Sequence, residues 1–330
     1  MTTHMDRADR GEAHAQPAGG GDIAGRVYDC AIVGGGPAGL SAAVYMGRLR
    51  RSAIVVDDAE GRSTWHQLNR NYLGFPDGIH STELRELGRK QAAKYGVEFL
   101  SARATDVSMS GEGHERLFTL TTTAGSVMSR TLILATGVTD KFPEFEGSEE
   151  CIGRSMFWCI ICDGYEAIGK RLLVLGNDDR AAALALQLLV FTHDVTLVAW
   201  KDKFELSEQR LRSLREHGVK LYDQRCGGFH CSNGQLYALT LEDGTTLELD
   251  MMFVAQWMEP NNQLAEKLNL MLDEHGFIVV DAEQCTNVEG VYAAGDVTKL
   301  SNHQVTTAVH EGGMAAAAAN YYLYEYWQKE

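Results

Sequence analysis

The sequence predicts an α/β protein in which one strand–turn–helix unit is inserted into another. The same order, an apolar run, a glycine-rich turn and then a helical stretch, occurs in two separate places, at residues 28–49 and again at 172–186. Short continuous apolar runs bounded by glycine are what strands buried on both faces of a parallel sheet require. After the second unit the chain returns at Gly276-Phe277-Ile278-Val279-Val280 and Gly290-Val291-Tyr292-Ala293-Ala294-Gly295-Asp296. The expected architecture is two Rossmann-like three-layer (ββα) nucleotide-binding domains, the second inserted into the first. The boundaries read as 27–140 with 259–330 for the first domain and 141–258 for the second, after an N-terminal extension of residues 1–26.

The first unit runs from the strand Tyr28-Asp29-Cys30-Ala31-Ile32-Val33 into the turn Gly34-Gly35-Gly36-Pro37-Ala38-Gly39 and a helix to about Leu49. Gly34 makes the tight turn, Gly36 lets backbone approach a pyrophosphate, and Gly39 lets helix and strand pack closely. Phosphates then rest on the helix N-terminus, where free N–H groups and the dipole favour negative charge. A second strand, Ala53-Ile54-Val55-Val56, ends at Asp57, 18 residues after Gly39 and near the place expected for an acid that binds a ribose hydroxyl. The second unit begins at Leu172-Leu173-Val174-Leu175-Gly176, continues into a helix through Ala181–Leu186, and is followed by the strand Asp194–Val198. Segments around Lys220–Tyr222, Leu236–Leu241 and Leu247–Ala255 read as a β-meander completing that domain.

Composition sets the outer bounds. The 330 residues are 45% hydrophobic and 23% charged, ordinary for a water-soluble globular protein. The formal net charge of −15, with no long basic run, argues against a nucleic-acid partner. No apolar run is long enough to span a bilayer. The first residues, to about Gly25, lack periodicity and an apolar block, and read as a disordered extension. Seven irregularly spaced cysteines make a poor disulfide framework, so a reducing, cytoplasmic setting is expected, with one functional pair and five packing thiols.

That pair lies in Cys159-Ile160-Ile161-Cys162-Asp163-Gly164. Two cysteines two residues apart can close into a disulfide or open into a thiolate pair, which is two-electron chemistry. A thiolate must be generated from a group whose free pKa is about 8.5, and a leaving thiolate must be protonated. A carboxylate directly after the pair can serve both steps. The alternative, half of a structural zinc site, needs two further ligands. Cys226 and Cys231 are the only spaced candidates, and they read as ordinary loop cysteines.

With these pieces in place the chain resembles the low-molecular-weight thioredoxin reductase family of flavoproteins, over nearly everything after about Arg26. The matching pieces are the Gly34–Gly39 turn, Ala135-Thr136-Gly137, the Cys159–Gly164 block, Gly290–Asp296, Asn302-His303-Gln304-Val305 and a helix starting at Gly312-Gly313-Met314-Ala315. The resemblance implies FAD as cofactor, held by Gly34, Gly36, Pro37, Ala38, Gly39 and Asp57 at its ADP half. It adds Gly137 and Gly295 as cofactor-binding residues, and places Asp296 at the ribityl and phosphate region and Gln304 and Val305 against the isoalloxazine. Asn71, in Asn69-Arg70-Asn71-Tyr72-Leu73-Gly74-Phe75-Pro76, falls close to the flavin. By the same resemblance Cys162 is the flavin-side sulfur, Cys159 attacks substrate, and Asp163 is the proton donor and acceptor. A homodimer and thioredoxin, or a small disulfide or dithiol, are the implied partners.

The chain departs from the family at the second nucleotide site. The turn reads Gly176-Asn177-Asp178-Asp179-Arg180-Ala181, with Asp178 at the middle glycine, a negative charge where a pyrophosphate would approach. NADPH-using relatives carry arginines after the following strand; here the stretch is Ala199-Trp200-Lys201-Asp202-Lys203-Phe204-Glu205, and Trp257 replaces a further glycine. NADPH use is therefore not expected, and a second FAD or another dinucleotide could take the altered cleft. Relatives without NADPH motifs include ferredoxin-dependent flavin thioredoxin reductases, diflavin-linked disulfide oxidoreductases and dithiol oxidases of the gliotoxin and holomycin type. The chain shares Asp163 with the first two and Gly61-Arg62-Ser63 and the Asn71–Pro76 run with the oxidases. The expected function is an FAD thiol–disulfide oxidoreductase working without NADPH, with ferredoxin as a candidate donor. The alternatives are an NAD(P)H-dependent thioredoxin reductase with a weakened site, a dithiol oxidase, and a non-catalytic flavin sensor. The aromatic C-terminal helix, with Tyr321, Tyr322, Tyr324, Tyr326 and Trp327, reads as dimer-interface packing.

Overall fold

The computed structural model describes residues 25–328 apart from 66, 201, 202, 256, 257 and 300, and not the side chains of His114 and 325–328. The expectations for residues 1–24, Lys201, Asp202 and Trp257 and for the side chains of Tyr326 and Trp327 lie outside the described residues. One mixed and one parallel sheet form the frame. In the first, the strand order is Glu98–Ser101, Ala53–Asp57, Val27–Val33, Gly125–Leu134, Leu117–Thr122, Ala104–Ser110, and Val291–Ala293 pairs with Gly125–Leu134 as well. The second has the order Met156–Phe157, Met251–Val254, Leu172–Leu175, Val195–Val198, Lys220–Tyr222, parallel throughout. A short antiparallel ribbon, Val138–Asp140 with Met258–Pro260, joins the two where the chain leaves and re-enters the first sheet.

Each sheet is covered by helices on one face and a β-layer on the other, as a buried parallel sheet requires. On the helical side of the first sheet, Ile32, Val55 and Ile133 pack against Ala42, Met46, Ala315 and Leu323. On its other side, Leu132 and Leu134 share a core with Phe118 and Leu120 of the sheet's own antiparallel strand Leu117–Thr122, all fully buried. The helices Pro37–Arg48 and Val305–Gln328 cross at Gly312, where a Cβ would collide with the Ala38 carbonyl oxygen. Only glycine allows that approach, and it brings the last helix onto the first turn of the first one.

The second domain differs from the sequence expectation in its meander. Lys220–Tyr222 is the edge strand of the parallel sheet, and the antiparallel layer is Cys226–Ser232, Gln235–Leu241 and Thr246–Glu248. Cys226 and Cys231 are therefore strand residues, not loop residues. The Gly276–Val280 run contributes only an isolated bridge between Ile278 and Leu272. The helix expected from Gly312 starts seven residues earlier, at Val305. Among the described residues no helix is long and apolar enough to cross a membrane.

Candidate active site

A cleft of about 1370 Å³ opens along the C-terminal ends of the first sheet's strands. It is lined by Gly34, Gly36, Pro37, Ala38, Asp57, Asn71, Gly137, Gly295, Asp296, Gln304 and Val305, and by Cys159 and Cys162 from the second domain. Of the residues expected at the flavin and the dithiol, only Gly39 and Asp163 stand off its wall. Gly39 packs directly on the Gly34 carbonyl, and Asp163 is buried behind the disulfide at 2% exposure.

The phosphate end is built by the first strand and helix. Gly34 sits at φ +107°, and its N–H donates to the Val56 carbonyl at 2.9 Å. The helix starts with Gly36 as N-cap and Pro37 in its first turn, and no side chain caps it. Its first-turn amides therefore face the cleft without a competing acceptor, the condition for binding an anion there. Asp57, at the end of the second strand, accepts from the Gly35 N–H at 2.9 Å and is ion-paired with Arg85 and, at 3.8 Å, Arg89. Its carboxylate is thus already fixed before any ribose arrives.

Further along, Asp296 follows Gly295, whose backbone is left-handed at φ +82°. The Gly295 N–H donates to the buried Glu311 carboxylate at 2.8 Å, and Lys299 pairs with the same acid. Arg62 reaches between two acids: its Nε donates to Asp140 at 2.6 Å and its Nη1 to Asp296 at 3.1 Å. Burial pushes the Asp296 carboxyl above the ordinary carboxylate range, while Arg62 acts in the opposite direction.

The redox end is built from three elements. Cys159 and Cys162 form a disulfide with Cα atoms 5.3 Å apart, and Cys159 caps the short helix Ile160–Asp163. The side-chain nitrogen of Gln304, placed just before the last helix, lies 3.4 Å from each sulfur. Asn71 donates to Gln304 Oε1 at 2.9 Å and to the Ile161 carbonyl at 3.4 Å. The dithiol therefore faces the cleft beside the residues expected against an isoalloxazine. Asp163 has one carboxylate oxygen with no hydrogen-bond partner among the described residues, and desolvation raises its pKa to about 7. Arg70 lowers it and Glu166 raises it further. A carboxyl titrating near neutrality next to a dithiol can both give and take a proton there.

The residues fit a dinucleotide cofactor. An uncapped helix N-terminus, a glycine turn and a cleft above the usual 300–1,000 Å³ of small-ligand sites are what its phosphates and length demand. Bound there, FAD would supply a two-electron carrier beside the disulfide, and Gly34–Ala38 and Asp296 would hold it.

The second nucleotide turn is built differently. Asp178 caps the helix Asp179–Leu188, its carboxylate accepting from the Arg180 N–H at 3.1 Å and the Ala181 N–H at 3.2 Å. The Arg180 guanidinium folds back onto the same carboxylate, with Nε 2.9 Å from Oδ2. Asn177 ties this turn to the segment after the next strand, accepting from the Trp200 N–H at 3.1 Å and donating to the Lys203 carbonyl at 3.0 Å. The Trp200 side chain packs against the second domain's core.

Sequence reading gave no role to Arg70, Arg85, Asp140, Glu166 or Glu311. Of these only Glu311 carried a signal: it is the one acid in the otherwise uncharged, alanine-rich stretch from Val305 to Ala319.

Fold and site together define a redox enzyme of the dinucleotide-and-dithiol class, two nucleotide-binding domains bringing a disulfide to a dinucleotide cleft. The chain belongs to the pyridine nucleotide-disulphide oxidoreductase family, whose model matches residues 28–312. It is 31% identical over 311 residues to the thioredoxin reductase of Bacillus subtilis, covering 91% of this chain and 96% of that one. The Treponema pallidum thioredoxin reductase is 32% identical over 307 residues, covering 90% and 97%. Among solved structures, HlmI superposes with a TM-score of 0.85 at 28% identity, covering 92% of this chain and 94% of that one. The protein is an enzyme, a flavin disulfide oxidoreductase of the thioredoxin reductase type.

Proposed function

We propose that the enzyme passes electron pairs between FAD, Cys159–Cys162 and an external disulfide or dithiol without drawing on NADPH. The observation that carries this is the contrast between the two helix N-termini. The first is open to the cleft, whereas the second holds its own carboxylate, Asp178, on the amides a pyrophosphate would need. To bind there a phosphate must displace a cap worth about 1 kcal/mol. It must also sit near a like charge that Arg180 only partly offsets, at about 1 kcal/mol for 4 Å at so exposed a site. Together these amount to roughly thirtyfold in affinity. The same cap speaks against a second FAD in that place.

In the working site, Cys159 exchanges with the substrate sulfur, Cys162 faces the flavin, and Asp163 gives or takes the proton that each thiol requires. Gln304 and Asn71 hold the disulfide against the cleft. Thioredoxin or a small disulfide is the external substrate, and reduced ferredoxin is a candidate donor. The exposed Tyr45 of the first helix, Leu49 just past its end, and Tyr321 and Tyr324 of the last helix form the face proposed for a homodimer. A second reading, dithiol oxidation, follows from the same cap. Without a nicotinamide the flavin must exchange electrons with something that reaches it directly, and oxygen does: dithiol and O2 yield disulfide and H2O2.

Anaerobic titration of the purified protein with NADPH and NADH, followed by flavin absorption with flavin counted per chain, tests the proposal. No bleaching by either, with full reduction by dithionite, is expected. Rapid bleaching by NADPH overturns it, and two flavins per chain overturns the reading of the capped turn. Peroxide formed at the rate of dithiol consumption in air selects the oxidase direction.

A further inference from the structure

The loop between the short strands Leu68–Asn69 and Ile79–His80 of the first domain reaches across to the dithiol. Asn71 does so at the Ile161 carbonyl, and Arg70 does so one turn further on, its Nε 3.1 Å from Glu166 Oε1. Glu166 follows Asp163 by three residues, and each acid keeps one carboxylate oxygen buried and without a partner among the described residues. The buried Asp163 and the partly exposed Glu166 thus stand behind the disulfide, and one guanidinium reaches Glu166 from the other domain. Burial and the Glu166 charge disfavour the ionised form of Asp163, and the Arg70 guanidinium favours it.

We infer that Arg70 is a positioning residue for the proton relay, its charge coupling the seating of the dithiol against the cleft to the release of the Asp163 proton. The inference rests on the reading of Asp163 as proton donor. Two electrons and one proton turn the Cys159–Cys162 disulfide into one thiol and one thiolate; a reduced flavin in the cleft would supply the electrons, and Asp163 gives the proton. With Arg70 seated, the ionised Asp163 left behind is compensated. Where the loop and the Ile160–Asp163 helix separate, the compensation goes with it and the carboxyl takes its proton back. The charged groups that act on Asp163 are Arg70, which favours its ionised form, and Glu166, which opposes it. The dithiol faces it from its own helix as a further titrating pair once reduced.

The test is the titration of the Asp163 carboxyl in the oxidised holoenzyme by infrared difference spectroscopy, the band being assigned by its loss in Asp163→Asn. Removing a cation at this range moves a carboxyl by roughly one pH unit. Arg70→Gln is expected to raise the midpoint by about that much, Glu166→Gln to lower it, and Arg70→Lys to restore the wild-type value. The pH limb of disulfide exchange should move with the band in all three. Unmoved midpoints in Arg70→Gln and Glu166→Gln overturn the inference, as does failure of Arg70→Lys to restore the wild-type value. A band that shifts as expected while Asp163→Asn exchanges disulfide at the wild-type rate leaves Arg70's effect standing and overturns the proton-donor reading instead.

Discussion

Burying Asp163 costs the folded chain stability, and the cost has a pH signature. Its carboxyl is raised from 3.8 to about 7 by desolvation, so between those values the folded protein binds a proton that the unfolded chain has lost. Stability therefore falls as pH rises from about 4 to 7 and is flat above, the reverse of a carboxylate held by a cation. Three pH units at 1.36 kcal/mol each give about 4 kcal/mol in full, and about 2.5 kcal/mol of it falls between pH 5 and 8. Asp163→Asn removes the titration while keeping the shape. Its constant cost, an amide left partly unpaired, cancels when the same variant is compared at two pH values. Urea denaturation of oxidised wild type and Asp163→Asn at pH 5 and pH 8 is the assay. The variant should gain about 2.5 kcal/mol on the wild type between the two, while disulfide exchange falls at least ~100-fold. A stability difference that does not change with pH would refute the argument, since it would mean that Asp163 is ionised in the folded protein.

Three other outcomes follow from the same geometry. Asp178→Gly frees the second helix N-terminus at a cost of only about a few tenths of a kcal/mol, and a fluorescence titration should show NADPH or a simple pyrophosphate binding where wild type shows none. Gly312→Ala forces a Cβ against the Ala38 carbonyl, so loss of about 1–3 kcal/mol in urea and of bound flavin is expected together. Arg62→Ala leaves Asp140, whose side chain is 2% exposed, without its cation, and should cost roughly 3 kcal/mol with a lower flavin content after dialysis.

The parts legible in the sequence were those in which local chemistry and global fold ask for the same residue. Gly34 must take a left-handed backbone, the short apolar runs must be buried on both faces, and the dithiol must be spaced for closure. What stayed hidden depends on partners far away in the chain. Cys226–Ser232 contains Gly227 and Gly228 and no clean alternation, and it is a strand because Gln235–Leu241 pairs with it. The last helix opens on Val305, Thr306 and Thr307, poor helix formers, and its true start is held by Ala308 and Glu311 packing inside the first domain. Arg62 and Arg70 are surface residues by composition. Their roles come from acids 78 and 96 residues further on, Asp140 and Glu166.

The two nucleotide turns show how little separates a working anion site from a closed one. Both place a helix N-terminus at the end of a parallel strand, with a dipole of the same sense. In the first turn the helix's opening amides have no acceptor of their own, and the cleft they face is long enough for a dinucleotide. In the second a single carboxylate satisfies two of them, draws Arg180 onto itself, and leaves Asn177 to bind the following segment. A helix end that is already satisfied gains nothing from a phosphate, and a helix that lacked the cap would be less stable without one. Asp178 thus supplies as a structural contact what a phosphate would otherwise supply, and the proposed loss of nicotinamide binding then comes with a gain in stability for the free enzyme.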